Sequence, residues 1–373
     1  MPRGIWIAVA VVVALGVVFA WHYFLYHSTL QFFGLGRGSR KVLGTVLVLL
    51  PASFFASSFV MRRTGATFAR SFSILSSLWL GVGLALLLFY LLAWAAWGVA
   101  GFHNPRPNSV WFGLAAVLLA GLYSTYGIWN AEHPIVRTLT VKIRNLPPSW
   151  RGRRLVQITD LHLGLAQGPA FLEDVVRKVN AQDPAAVAIT GDLFETDGWG
   201  LDRFVGPLNQ IRAPLGVYFV TGNHETYLGV ERAETVLKKT NVRVLDDEML
   251  VIDGVQLLGL SYPRTSFSRD MAAAIQGIRG FDRARPSILL YHSPSQIPAV
   301  KAAGISFLVT GHTHHGQLLP FQLITRLVYG KYDHGLNVEG DFAIYTSPGT
   351  GTWGPMMRTG DRAEITVFRL EPM

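Results

Sequence analysis

The chain contains no cysteine. That excludes disulfides, thiolate metal ligands and a cysteine nucleophile, and is compatible with either side of a membrane. Acidic residues are also missing over a long stretch. No Asp or Glu precedes Glu132, while the same 131 residues carry eight Lys or Arg. The remainder holds 25 basic side chains against all 24 acids. The formal charge of +9 therefore lies almost wholly in short loops between apolar runs, where it orients a membrane protein. Nucleic acid is not expected as a partner, because the rest of the chain is nearly neutral. Charge is sparse overall, at 15% of residues against 50% hydrophobic, too apolar for an ordinary soluble protein. Internal repeats and low-complexity tracts are lacking too.

Four apolar runs cover residues 5–24, 42–61, 72–99 and 110–128. Each approaches or exceeds the ~20 residues that cross a ~30 Å hydrocarbon layer as a helix, and none contains Lys, Arg, Asp or Glu. Backbone groups in lipid must bond internally, so helices are the expected form. The second run is the weakest, with Pro51 mid-span beside several serines. The first shows no clear small-x-small cleavage site and three more runs follow it, which favours an integral helix over a signal peptide. A soluble bundle needs charged faces that these runs do not have. Residues 1–131 are thus expected to form a four-helix transmembrane domain. With four spans, Arg3, Arg62, Arg63, Arg70, Arg137, Lys142 and Arg144 share one side; Arg37, Arg40, Lys41 and Arg106 share the other. That count places the C-terminal domain on the cytoplasmic side of a bacterial inner membrane. His22 is the sole ionisable group inside a span, whereas a transporter or proton relay needs intramembrane charges. The helices read as an anchor, and as a platform where a lipid substrate is met.

From residue 132 to 373 the pattern is that of a separate α/β domain. Strands are expected around residues 139–143, 155–159, 185–190, 217–221, 242–245, 255–260, 288–291, 305–310, 342–346 and 363–370. Helical spacing occurs over 170–180 and 230–239. The chemically competent residues fall just after apolar strands, at the carboxyl ends where α/β sheets place their sites.

Five segments stand out: Asp160-Leu161-His162, Gly191-Asp192, Gly222-Asn223-His224-Glu225, His292, and Gly311-His312-Thr313-His314. Their carboxylate, imidazole and amide groups are the ligands of Mn, Fe and Zn. In an extended segment residues two apart point the same way, so Asp160 with His162, and His312 with His314, are each expected to face one pocket. Singly, each piece has a plainer reading. Asp192 after glycine caps a helix, Asn223 sits in a turn, and His292 is a hydrogen-bonded core histidine. Jointly they point to metal, because several buried carboxylates and imidazoles without a cation carry large desolvation costs.

The ordered set D-L-H, G-D, G-N-H-E, a lone H and G-H-T-H resembles the calcineurin-like metallophosphoesterase superfamily over about residues 136–373. The stretch Gly311–Gln317 and the Gly-rich stretch Ser347–Gly354 resemble its bacterial membrane-associated branch, which includes UDP-2,3-diacylglucosamine pyrophosphatases. The resemblance implies an α/β fold, a four-layer α/β/β/α sandwich. It implies two divalent metals, Mn foremost with Fe, Zn or Mg as alternatives. Asp160, His162 and His314 would hold the first, Asn223, His292 and His312 the second, and Asp192 would bridge them. His224 would contact the phosphoryl group and protonate the leaving oxygen, with a metal-bridging hydroxide as nucleophile. Many relatives read Gly at the position of His315; this imidazole is either a surface residue or a contact to the substrate phosphate.

Trp199, Tyr227, Tyr262, Tyr329, Tyr332, Trp353 and Met356–Met357 lie near the motifs, as an acyl or nucleobase pocket or as ordinary core and rim. Arg264, Lys331 and Arg358 are candidates for a second phosphate. Asp333 and His334 form a further polar pair without an assigned role. The expected function is hydrolysis of a phosphodiester or pyrophosphate of a lipid-linked or sugar-nucleotide substrate at a membrane. The competing reading is a catalytically silent membrane sensor or scaffold with a structural metal centre.

Overall fold

The apolar N-terminal runs become four helices, Arg3–Phe33, Arg37–Thr64, Thr67–Ala100 and Ser109–Glu132. The computed structural model describes residues 3–64, 67–102, 108–164, 166–196, 198, 200–264 and 269–373; Arg106 and Trp199 fall outside the described residues. All four helices are long and apolar enough to cross a membrane. Their outer surfaces are apolar as well: Val12 is 67% exposed, Phe68 74% and Trp111 70%. In water each such side chain would forfeit roughly 1.5–3 kcal/mol of burial, so a bilayer is the solvent that suits this surface. The second helix continues through Pro51, and the hydroxyls of Ser53 and Ser57 bond back to the Leu50 and Phe54 carbonyls at 2.6 and 2.8 Å. His22 is satisfied within these helices, by the Val18 carbonyl at 2.7 Å and the Trp79 indole N–H at 3.0 Å.

The chain divides into two compact units, residues 1–129 with 354–357, and residues 130–353 with 358–373. The second unit is built on two six-stranded sheets. The strands are β1 (Ile135–Ile143), β2 (Arg154–Ile158), β3 (Ala186–Thr190), β4 (Val217–Val220), β5 (Val242–Val244), β6 (Glu248–Ile252), β7 (Val255–Gly259), β8 (Ser287–Leu290), β9 (Phe307–Thr310), β10 (Gly335–Glu339), β11 (Phe342–Thr346) and β12 (Glu364–Pro372). One sheet has the order β1-β12-β2-β3-β4-β5, the other β10-β11-β9-β8-β7-β6. In the first, β2, β3, β4 and β5 run parallel; in the second, β7, β8, β9 and β11 do.

Three apolar layers hold the sheets in place. On β3, Ala186 and Ala188 face the other sheet, where they join Leu257, Ile288, Leu290, Phe307 and Val309. The alternate residues Val187 and Ile189 face outward, onto Leu172, Val175 and Val179 of the helix Pro169–Asn180. Behind the second sheet, Leu258, Leu289 and Leu308 pack on Met271, Ile275, Ile297 and Val300 of two short helices. This is the period-two alternation of strands buried on both faces, and it yields the helix–sheet–sheet–helix layering.

Candidate metal centre

The loops after β2, β3, β4, β8 and β9 bring all seven expected ligand residues and His224 to one end of the two sheets. Asp160, His162 and His314 form one group; Asp192, His292 and His312 form a second; within each, one candidate ligand atom per residue lies within 4.8 Å of the others. Asn223 joins the second group, with its Oδ1 3.2 Å from His292 Nε2.

The backbone achieves this differently from the extended spacing expected. Asp160, His162, Asp192, His312 and His314 have φ of 53°, 49°, 48°, 73° and 48°. Left-handed backbone costs an L-residue roughly 1–2 kcal/mol, and such strain persists where surrounding bonds over-determine it. Here those bonds are visible. The His312 amide donates to both carboxylate oxygens of Asp160 at 3.1 Å, and the His224 amide donates to Asp192 Oδ1 at 2.8 Å. His312 and His314 then part company. His312 Nδ1 lies 3.1 Å from His292 Nε2, whereas His314 Nε2 lies 3.0 Å from His162 Nε2 and 3.4 Å from Asp160 Oδ1. The motif glycines leave the necessary room. A Cβ on Gly222 would strike the Asp192 carboxylate, and one on Gly191 (φ 91°) would come within 2.5 Å of His292 Nδ1.

The donor set fits a divalent cation. The Thr190 carbonyl lies 2.8 Å from His292 Nδ1, which fixes that nitrogen as the N–H and leaves the lone pair on Nε2. Nε2 then faces Asp192 Oδ2 and Asn223 Oδ1, both at 3.2 Å, and His312 Nδ1 at 3.1 Å. One proton cannot satisfy so many electron-rich atoms, while one cation with imidazole, carboxylate and amide ligands does. Burial, followed by repulsion from His292, pushes His312 down to about 3; burial, followed by repulsion from His162 and Arg358, pushes His314 well below the usual histidine range. Both rings are therefore neutral and their lone pairs open to a metal. Burial alone would lower His292, but the neighbouring Asp192 and Asp160 raise it to about 9, so a cation at Nε2 would take the place of a proton there.

Further groups complete the site, among them Glu195, which the sequence motifs do not include. Glu195 Oε1 lies 3.0 Å from His224 Nδ1, and its Oε2 lies 3.4 Å from His162 Nδ1. Burial would lower His224, but Glu195 and Asp192 raise it to about 9. Glu225, fully buried, accepts the amides of Asp192, Gly222 and Phe194 at 3.0, 2.8 and 3.0 Å and so clamps the loops after β3 and β4 together. Arg358, also fully buried, donates to the carbonyls of Gly351 and Pro348 and places Nη2 3.3 Å from His314 Nδ1. It is therefore a structural support rather than an open phosphate group. Arg264 pairs with Glu231, Glu234 and Asp246, and Lys331 with Glu339. Tyr262 flanks His292 and His312, Tyr329 flanks His312, and Tyr227 and Trp353 flank His224. Tyr332 instead bonds Glu339, and Met356–Met357 fall in the first compact unit. His315 turns its ring to Asp361 and His334.

Comparison with known proteins gives this geometry its context. Residues 153–316 match the family model of the calcineurin-like phosphoesterases. The chain is 30% identical over 363 residues to a bovine (Bos taurus) transmembrane protein with metallophosphoesterase domain, covering 89% of this chain and 80% of that protein. It is 31% identical over 334 residues to the Danio rerio protein of the same name, covering 80% of this chain and 74% of that one. An uncharacterised metallophosphoesterase of Campylobacter jejuni is 31% identical over 275 residues, 70% of each chain. The chain thus belongs to the calcineurin-like metallophosphoesterases: a divalent-metal-dependent phosphoester hydrolase domain preceded by four helices long and apolar enough to cross a membrane.

Proposed function

We propose that Asp160, His162 and His314 hold one divalent cation, that Asn223, His292 and His312 hold a second, and that Asp192 is shared between them. The observation that carries this reading is the position of the Asp192 carboxylate. Its Oδ2 faces His292 Nε2 at 3.2 Å and His162 Nε2 at 3.9 Å, one nitrogen from each group. Ligands mixing imidazole with carboxylate and amide oxygen suit Mn, Fe or Zn, and the resemblance puts Mn foremost, with Mg as a further alternative. Bound there, the two ions supply Lewis acidity toward phosphoryl oxygens and make water acidic enough to lose a proton near neutral pH.

The protein's own groups supply position and a proton. Glu195 holds the Nδ1 side of His224, which leaves Nε2 to face a substrate. Glu195 and Asp192 favour the protonated form of His224, which is placed to give its proton to the departing oxygen. The expected substrate is a phosphodiester or pyrophosphate linked to an apolar group, as in the UDP-2,3-diacylglucosamine pyrophosphatase type. What supports this is the helix Gln322–Tyr329, where Leu323, Leu327 and Val328 are 73%, 86% and 65% exposed. Its last residue, Tyr329, packs against the ring of His312. Apolar surface of this kind beside a phosphoester site suits a lipid chain. The basic excess on the loops shared with the C-terminal domain supports a bacterial inner-membrane location with the catalytic unit in the cytoplasm.

The test is hydrolysis of a bis-aryl phosphate by the purified full chain with Mn2+, followed by comparison of lipid extracts from deletion and parent strains. Turnover together with accumulation of one phosphorylated lipid is expected. Absence of turnover in metal-replete protein would overturn the reading.

A further inference from the structure

A second cluster of metal-ligating side chains lies outside the seven residues above. His315 follows the last of those ligands, His334 precedes β10, and Asp361 precedes β12. Asp361 Oδ2 stands 3.1 Å from His315 Nδ1 and 3.2 Å from His334 Nε2, and the two imidazoles stack with centroids 4.4 Å apart and planes 8° from parallel. We propose that His315 Nδ1, His334 Nε2 and Asp361 Oδ2 form a third divalent-cation site, distinct from the paired site and suited to a zinc-class ion.

The spacing from the carboxylate supports coordination, and a tilt of the two near-parallel rings would turn their in-plane lone pairs onto one ion. Two atoms each ~2.0–2.1 Å from a tetrahedral zinc stand ~3.3 Å apart, close to both distances measured from Asp361 Oδ2. Two of the three ligand atoms are imidazole nitrogens, which favours zinc, cobalt or nickel over magnesium or calcium. His334 Nε2 is buried and makes no hydrogen bond, because its approach to Asp361 lacks the alignment for one. A cation between the two atoms resolves that.

The outer contacts are those of a metal site. Asp361 Oδ1 accepts the Arg362 amide at 2.7 Å, which leaves Oδ2 for the two rings. Asp333 Oδ2 approaches His315 Nε2 at 3.6 Å, and Asp333 Oδ1 is itself held by Arg326 Nη1 at 3.1 Å. A carboxylate behind a ligating histidine orients the ring and raises its basicity. The backbone adds an independent sign. His315 has φ 44° and ψ 43°, a left-handed conformation that glycine adopts without penalty. The chain keeps a bulky imidazole where a hydrogen would be less strained, and interactions of that side chain must compensate. The three side chains keep 24%, 20% and 19% of their surface exposed, enough for an ion to reach them. Three protein ligands leave one position for water or another ligand. Because His315 directly follows His314, occupation ties down the loop that carries a ligand of the paired site.

The experiment counts metal. Full-length protein in detergent is stripped, equilibrated with Zn2+, freed of excess and assayed by elemental analysis, alongside His334→Gln and His315→Gly. His315→Gly places glycine where the backbone favours it, so it keeps the fold. The account predicts that wild type retains one more zinc per chain than either variant. It also predicts that Co2+ loading gives wild type an extra visible band of tetrahedral cobalt that both variants lack. Equal zinc content and identical cobalt spectra in all three proteins would overturn the proposal. His334→Gln lies away from the loop that carries His314, so a zinc lost in that variant as well as in His315→Gly belongs to the third site.

Discussion

Each proposed ligand residue follows an apolar strand, and that regularity makes the seven legible in the sequence. Their partners are not legible, because nothing local marks them. Glu195 looks like any polar loop residue, and only the fold brings it to both His162 and His224. Arg358 reads as a candidate for a second phosphate, yet it is fully buried behind His314. The left-handed backbone at five of the ligands is likewise invisible in the sequence, since alternation in an extended segment suggests the same shared pocket by another route. Three substitutions follow from these contacts. Asp192→Asn removes the charge shared by both groups, and turnover should fall more than ~10³-fold, the equivalent of several kcal/mol of lost metal-assisted stabilisation. Circular dichroism should be unchanged, and steady-state kinetics at matched metal checks the loss. His224→Ala should slow substrates with poor leaving groups by ~10²–10⁴-fold and activated aryl phosphates far less; equal losses on both would argue against proton donation. Glu195→Gln should reproduce that selectivity in milder form, because it removes the charge that keeps His224 protonated.

At the scale of elements, buried strands are readable and margins are not. Strands β2, β3, β4, β7, β8, β9, β11 and β12 are apolar runs, and the expected bounds lie close to the observed ones. β6 and β10 are not among the expected strands. Both are edge strands, half-exposed along most of their length, so their composition mixes polar and apolar without clean alternation. The helix Gln322–Tyr329 is unexpected for a different reason. It is only eight residues long, and it buries none of its side chains in the fold. Since Leu327 is 86% exposed, Leu327→Asp should change unfolding free energy by no more than ~0.5 kcal/mol. If this helix receives the apolar part of the substrate, the same variant should lose activity on a lipid phosphodiester in mixed micelles while keeping hydrolysis of bis-aryl phosphate. Parallel assays on the two substrates check this, and equal retention on both would remove the helix from substrate binding.

For the molecule as a whole, the uneven distribution of charge along the chain separates an apolar region from a nearly neutral one. Four membrane-length helices and a two-sheet catalytic unit are what that asymmetry produces. The lack of cysteine makes the proposed orientation directly testable. A single cysteine at the exposed Asp341 should react with a membrane-impermeant maleimide in opened but not in intact cells. Labelling of intact cells would place the catalytic unit on the opposite side. The central claim is that the converging side chains hold two ions sharing Asp192, and electron paramagnetic resonance of Mn2+-loaded full-length protein tests it most directly. The account predicts the signal of an exchange-coupled manganese pair, lost together with bis-aryl phosphate hydrolysis in Asp192→Asn. Full hydrolysis accompanied only by the six-line signal of isolated Mn2+, unaltered by that substitution, would contradict it.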